Sequence, residues 1–100
     1  MKLKPVANDA GVIAGYAFYC PGCTHTHVFY IAGKMTWEFN GNFEKPSFNP
    51  SLRNTSEKHA DPKQRGCHLV LTEGRIHYQP DCTHDLAGQI VDLPDWSYGC

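Results

Sequence analysis

The chain has 100 residues, 41% of them hydrophobic and 19% charged, and nine Lys and Arg against ten Asp and Glu leave a net charge of −1. No basic field draws such a chain onto phosphates, which counts against general nucleic-acid binding, and no apolar run approaches the roughly 20 residues of a membrane span. The opening MKLKPVANDAG carries two lysines but no apolar stretch, so it does not read as a signal peptide, and a cytoplasmic location in a bacterial host is expected.

A single domain over residues 1–100 is expected. Seven Pro, nine Gly and an aromatic share of 12% favour strands and turns over long helices. Residues 3–7 and 12–19 read as strands around the turn Asn8–Gly11, and the second runs directly into Cys20. Strands follow at 27–31 and at 36–39, where polar and aromatic residues alternate. Asn40–Gly41 marks a tight turn. Residues 45–51, with Pro46 and Pro50, read as extended or irregular. Residues 54–66 are polar without an apolar period and read as an exposed loop. Residues 67–72 and 75–79 form a hairpin about Glu73–Gly74. A single helical turn is expected at 84–89, a short strand at 89–93, and a tail at 97–100 behind Trp96. The fold class is therefore mainly β: a small antiparallel sheet or half-barrel of hairpins organised around a zinc knuckle, with at most one short helical turn.

The knuckle is Cys20–Pro21–Gly22–Cys23. Two thiolates separated by two residues can face one ion when a tight turn joins them, and Pro and Gly suit that turn. A redox C-x-x-C would precede a helix, whereas Thr24–Ile31 is strand-like. Five cysteines is an odd number, unlike a disulfide scaffold. Completion of a tetrahedral site falls to the open end of the 67–79 hairpin, which gathers Cys67, His68, Cys82 and His84. Neighbours on a strand point to opposite faces, so Cys67, on the side of Leu69 and Leu71, and His68, on the side of Val70, compete. The favoured set is Cys20, Cys23, His68 and Cys82 around one structural Zn2+, with Cys67 and His84 as alternates. His25 reads as a surface residue, and His27 is balanced between a metal-side role and a strand face.

Other chemistry leaves few marks. No H-E-x-x-H and no deaminase pattern is present. There is no Gly-x-Ser-x-Gly elbow, and no Ser/His/Asp triad can be argued from spacing. Trp37, Phe39, Phe43 and Phe48 read as core rather than as a binding platform.

The segments F-Y-C-P-G-C at 18–23, H-V-F-Y-I at 27–31, T-W-E-F-N-G at 36–41, P-S-F-N-P-S-L at 46–52, G-C-H-L-V-L at 66–71 and D-C-T-H-D-L-A-G-Q at 81–89 together resemble a family of small phage and prophage proteins of unknown function, often labelled "ammonia monooxygenase". That enzyme is a membrane-embedded copper complex, and this chain has no span to embed. The resemblance implies a metal-binding β domain in which Cys20, Cys23 and His68 are ligands, with Cys82 and His84 as candidates for the fourth. The expected function is a zinc-stabilised, protein-binding accessory module without catalytic residues, an inhibitor of a host defence system being a special case. A small metal-dependent hydrolase, with His27 or Asp85 assisting, and a zinc-ribbon nucleic-acid binder are the alternatives.

Overall fold

Strands form where β-branched and aromatic residues cluster. The computed structural model describes residues 2–34, 36–56 and 58–96. Among these residues the strands are β1 Lys4–Ala7, β2 Ile13–Cys20, β3 His25–Tyr30, β4 Glu38–Phe39, β5 Phe48–Thr55, β6 Gly66–Thr72, β7 Arg75–Tyr78 and β8 Ile90–Asp92. They build two antiparallel sheets, ordered β1-β2-β3 and β4-β5-β6-β7-β8. The mainly β class expected from the sequence is therefore the class observed. The 97–100 tail lies outside the described residues.

The two inner faces share one core. Phe18 and Phe29 from the first sheet meet Phe48, Leu69, Leu71 and Ile76 from the second, all fully or almost fully buried. Phe29 stacks on Phe48 with ring centroids 4.3 Å apart, and Phe48 stacks on Phe39 at 4.7 Å. Stacking adds to the burial of three large rings, so this column fixes how the sheets lie on each other. Lys4 places its ammonium 4.3 Å from the centre of the Trp96 ring, which returns the end of the described chain to β1.

The hairpin of β6 and β7 has the register its Glu73–Gly74 turn predicts, with Thr72 opposite Arg75 and Leu71 opposite Ile76. Gly74, at φ 78°, takes the left-handed conformation the turn needs. Residues 48–51, expected to be extended or irregular, are extended and belong to β5, an inner strand of the larger sheet, which runs on to Thr55 into the stretch expected as an exposed loop. Four steps along β5, from Phe48 to Leu52, span only two on β6, from Leu71 to Leu69. Pro50 sits in this bulge, where a missing N–H costs no ladder bond. Two extra residues also keep the alternation in phase, so Phe48 and Leu52 both point inward. Residues 85–88 make turns rather than a helix, and the short helical element is a 3-10 turn at Pro62–Gln64, capped by the Asp61 side chain. Among the described residues no helix is long and apolar enough to cross a membrane.

Candidate active site and metal centre

β6 carries chemistry on both faces. Cys67, Leu69 and Leu71 are buried on the inner face, while His68 and Val70 are half-buried on the outer one. On the inner side, Cys20 ends β2, Cys23 closes the knuckle, Cys67 projects from β6 and His84 comes from the loop after β7. Their ligand atoms all lie within 4.8 Å of one another, and all four residues are buried. Cys20 Sγ is 3.9 Å from Cys67 Sγ, and Cys67 Sγ is 3.4 Å from His84 Nε2.

Three observations fit a cation in this group. First, the thiols are strongly polarised against each other. Hydrogen bonds from Cys23 and Cys67 hold the Cys20 thiol far below its ordinary range, while hydrogen bonding to Cys20 pushes Cys23 up to about 12 and raises Cys67 as well. Ionising one thiol thus opposes ionisation of its neighbours, and a dication among them would offset that opposition. Second, burial lowers the pKa of His84, which keeps its imidazole neutral and able to act as a ligand. Third, the surroundings are built for thiolate. The Tyr78 hydroxyl lies 3.0 Å from Cys20 Sγ and accepts the Gly22 N–H. His27 Nδ1 accepts from Asn54 Nδ2 at 3.1 Å, so the proton belongs on Nε2. That Nε2 is buried without a hydrogen-bond partner, and His27 favours the ionised form of Cys20. Gly22 is required here because a Cβ would overlap the His84 ring.

His68 and Cys82, the pair favoured from the sequence, lie outside this group. The structure joins Cys20 and Cys23 to the alternates Cys67 and His84. Strand alternation is the reason: the knuckle packs on the inner face, which Cys67 shares with the leucines and His68 does not. Cys82 is buried at the back of β6, where its Sγ accepts the His68 N–H at 3.2 Å and donates to the His68 carbonyl at 3.1 Å. His25 is exposed, its ring 4.9 Å from that of His27. Asp85 pairs with Lys63 at the surface, 3.0 Å away.

The outer face of β6 carries a second constellation. His68 Nε2 is 3.1 Å from Ser51 Oγ. His68 Nδ1 is 3.2 and 3.3 Å from the two carboxylate oxygens of Asp81. A carboxylate accepts hydrogen bonds, so Nδ1 carries the proton and donates it, and Nε2 is left to accept the Ser51 hydroxyl. This is the order of a nucleophile, a base and an orienting acid. The His68 and Asp81 side chains keep 27% and 49% of their surface exposed, so a substrate can reach them. The bulge in β5 delivers Ser51: in register His68 lies opposite Arg53, and Ser51 reaches it diagonally. Trp37 Nε1 donates to the Ser51 carbonyl at 3.2 Å and holds the bulge from below.

No spacing rule in the sequence relates Ser51, His68 and Asp81. Their proximity needs the β5–β6 register and the return of the 79–84 loop. That loop is tied down by Gln79 N–H to the His68 carbonyl at 2.8 Å and by Thr83 N–H to the Gly66 carbonyl at 2.9 Å. Ser51 does lie in the P-S-F-N-P-S segment, a sequence mark that points at the bulge without stating its chemistry.

No curated protein and no solved structure matches the chain. A family model does match, over residues 3–79. The stretch includes Ser51 and His68 and stops two residues before Asp81. By that match the chain belongs to the family described as the bacterial ubiquitination-like system serine protease, BubE.

Proposed function

We propose that this chain is a small serine hydrolase that cleaves acyl bonds in a protein substrate, with Ser51 as nucleophile, His68 as general base and Asp81 as the group that orients His68. The hydrogen-bond relay Ser51 Oγ–His68 Nε2 at 3.1 Å and His68 Nδ1–Asp81 at 3.2 Å carries this reading. The family's description, which names a ubiquitination-like system, supports a protein as the substrate class.

Ser51 Oγ attacks the scissile carbonyl carbon while its proton passes to His68 Nε2. The imidazolium is stabilised by Asp81 and then gives that proton to the leaving nitrogen as the carbon–nitrogen bond breaks. A water repeats the sequence on the acyl-serine: its proton goes to Nε2, its oxygen to the carbonyl carbon, and Ser51 leaves with the proton returned.

On the same reading the Cys20, Cys23, Cys67 and His84 group holds one Zn2+. Three thiolates and one imidazole suit tetrahedral zinc, and four protein donors leave no position for a reactive water, so the ion's role is structural. Hydrolysis then belongs to the serine rather than to the metal. The protein-binding module foreseen from the sequence becomes an enzyme whose partner is its substrate.

The test is covalent labelling. A fluorophosphonate should modify the native chain once, at Ser51 by peptide mapping, and Ser51→Ala should take up none while keeping its fold by circular dichroism. Labelling elsewhere, or none on folded native protein, overturns the assignment.

A further inference from the structure

β5 outgrows its neighbour on one side. β4 pairs only with Phe48 and Asn49, so from Ser51 to Thr55 that side of β5 has no main-chain partner among the described residues. β3 stands at the edge of the other sheet and is likewise open, apart from the Tyr30 carbonyl, which accepts the Trp37 N–H. Between these two edges runs a cleft of about 310 Å3, walled by Val28, Tyr30, Trp37 and Leu52, with Arg53 and Asn54 at its rim. The Asn54–His27 hydrogen bond bridges it at one place, and the Trp37 indole, bonded to the Ser51 carbonyl, bridges it at another. Through Trp37 the wall of the cleft is joined to the residue whose hydroxyl faces His68, and Leu52 and Arg53, which line it, follow that residue directly.

Arg53 supplies the charge. It follows Ser51 by two residues on the same face and lies directly across the strand pair from His68. It is exposed, and no carboxylate among the described residues pairs with it: Asp81 serves His68, Asp85 serves Lys63 and Asp92 serves Arg75. A guanidinium across from a base that must take up a proton is favourable when an anion comes to lie beside it, and Asp81 is already committed to Nδ1.

We infer that this cleft is the substrate subsite of the serine centre: it receives an extended peptide segment as an added strand on the open edge of β5, and an acidic residue of that segment pairs with Arg53. The inference rests on the serine reading above. Open strand edges supply main-chain hydrogen bonds to an extended ligand, and side-chain pockets and charges supply its selectivity.

The test uses peptidyl phosphonates that differ only in an Asp or a Lys at one position, reacted with the full native chain. The readout is the rate of Ser51 labelling. At one position near the phosphorus the Asp probe should react about three to five times faster than the Lys probe, as an exposed ion pair allows, and the preference should shrink at high salt. Arg53→Glu should reverse the preference and Arg53→Gln should level it; a reversal, unlike a loss, cannot come from misfolding. If Ser51 is labelled but Arg53→Glu keeps the native preference, or no position shows one, the subsite is overturned and the serine reading stands. If the native chain is not labelled at Ser51, both fall.

Discussion

Each group in the serine relay is set by one neighbour. Asp81 fixes the His68 tautomer; without a carboxylate at Nδ1 the proton can move to Nε2, where it blocks the serine hydroxyl. Asp81→Asn keeps the shape but offers an amide that favours the wrong tautomer, so kcat should fall on the order of a thousandfold or more with the fold retained. Steady-state kinetics on a fluorogenic ester, read beside circular dichroism, checks this, and activity within a few-fold of the native chain would remove Asp81 from the relay. At this scale the sequence announces half of the cysteine–histidine group and none of the relay. Cys20 and Cys23 are visible because their spacing is local. Ser51, His68 and Asp81 are ordinary residue types, 17 and 13 positions apart, and nothing local links them.

At the scale of elements, β6 decides the arrangement. Adjacent residues Cys67 and His68 serve different sites because a strand turns successive side chains to opposite faces. The loop after β7 repeats the division, with Asp81 reaching out to His68 and His84 reaching in to Cys67. Cys82 lies between them and holds both main-chain groups of His68. The cysteine–histidine group and the relay therefore share two segments, β6 and the loop after β7. Cys82→Ala removes the pin and leaves the metal donors untouched. It should lower kcat about tenfold with KM nearly unchanged, because a misplaced base costs transition-state stabilisation more than binding. About one zinc per chain by elemental analysis should remain. A variant that loses zinc along with activity would make Cys82 part of the metal centre instead.

Over the whole molecule, the cysteine group ties the two sheets together at the end remote from the Phe29–Phe48–Phe39 column. Cys20 and Cys23 belong to the first sheet and its knuckle, and Cys67 and His84 belong to the second sheet and its loop. A core of this size leaves a narrow margin of stability, and metal binding energy at such a junction is folding energy. Chelation should therefore lower the thermal midpoint by many degrees and abolish serine labelling, and zinc should restore both. A chelated chain with an unchanged midpoint would make the junction independent of metal.

What the sequence determines by itself is whatever is local: the strand-rich class, the Cys20–Cys23 knuckle, and the hairpin register about Glu73–Gly74. Alternation, turn chemistry and short spacing encode these within a few residues. The tertiary structure decides which face of β6 meets the knuckle, and so why Cys67 rather than His68 joins Cys20 and Cys23. It also decides that a proline-bearing bulge carries Ser51 to His68. Both depend on register between strands far apart in the chain, and only the packing of two complete sheets selects that register.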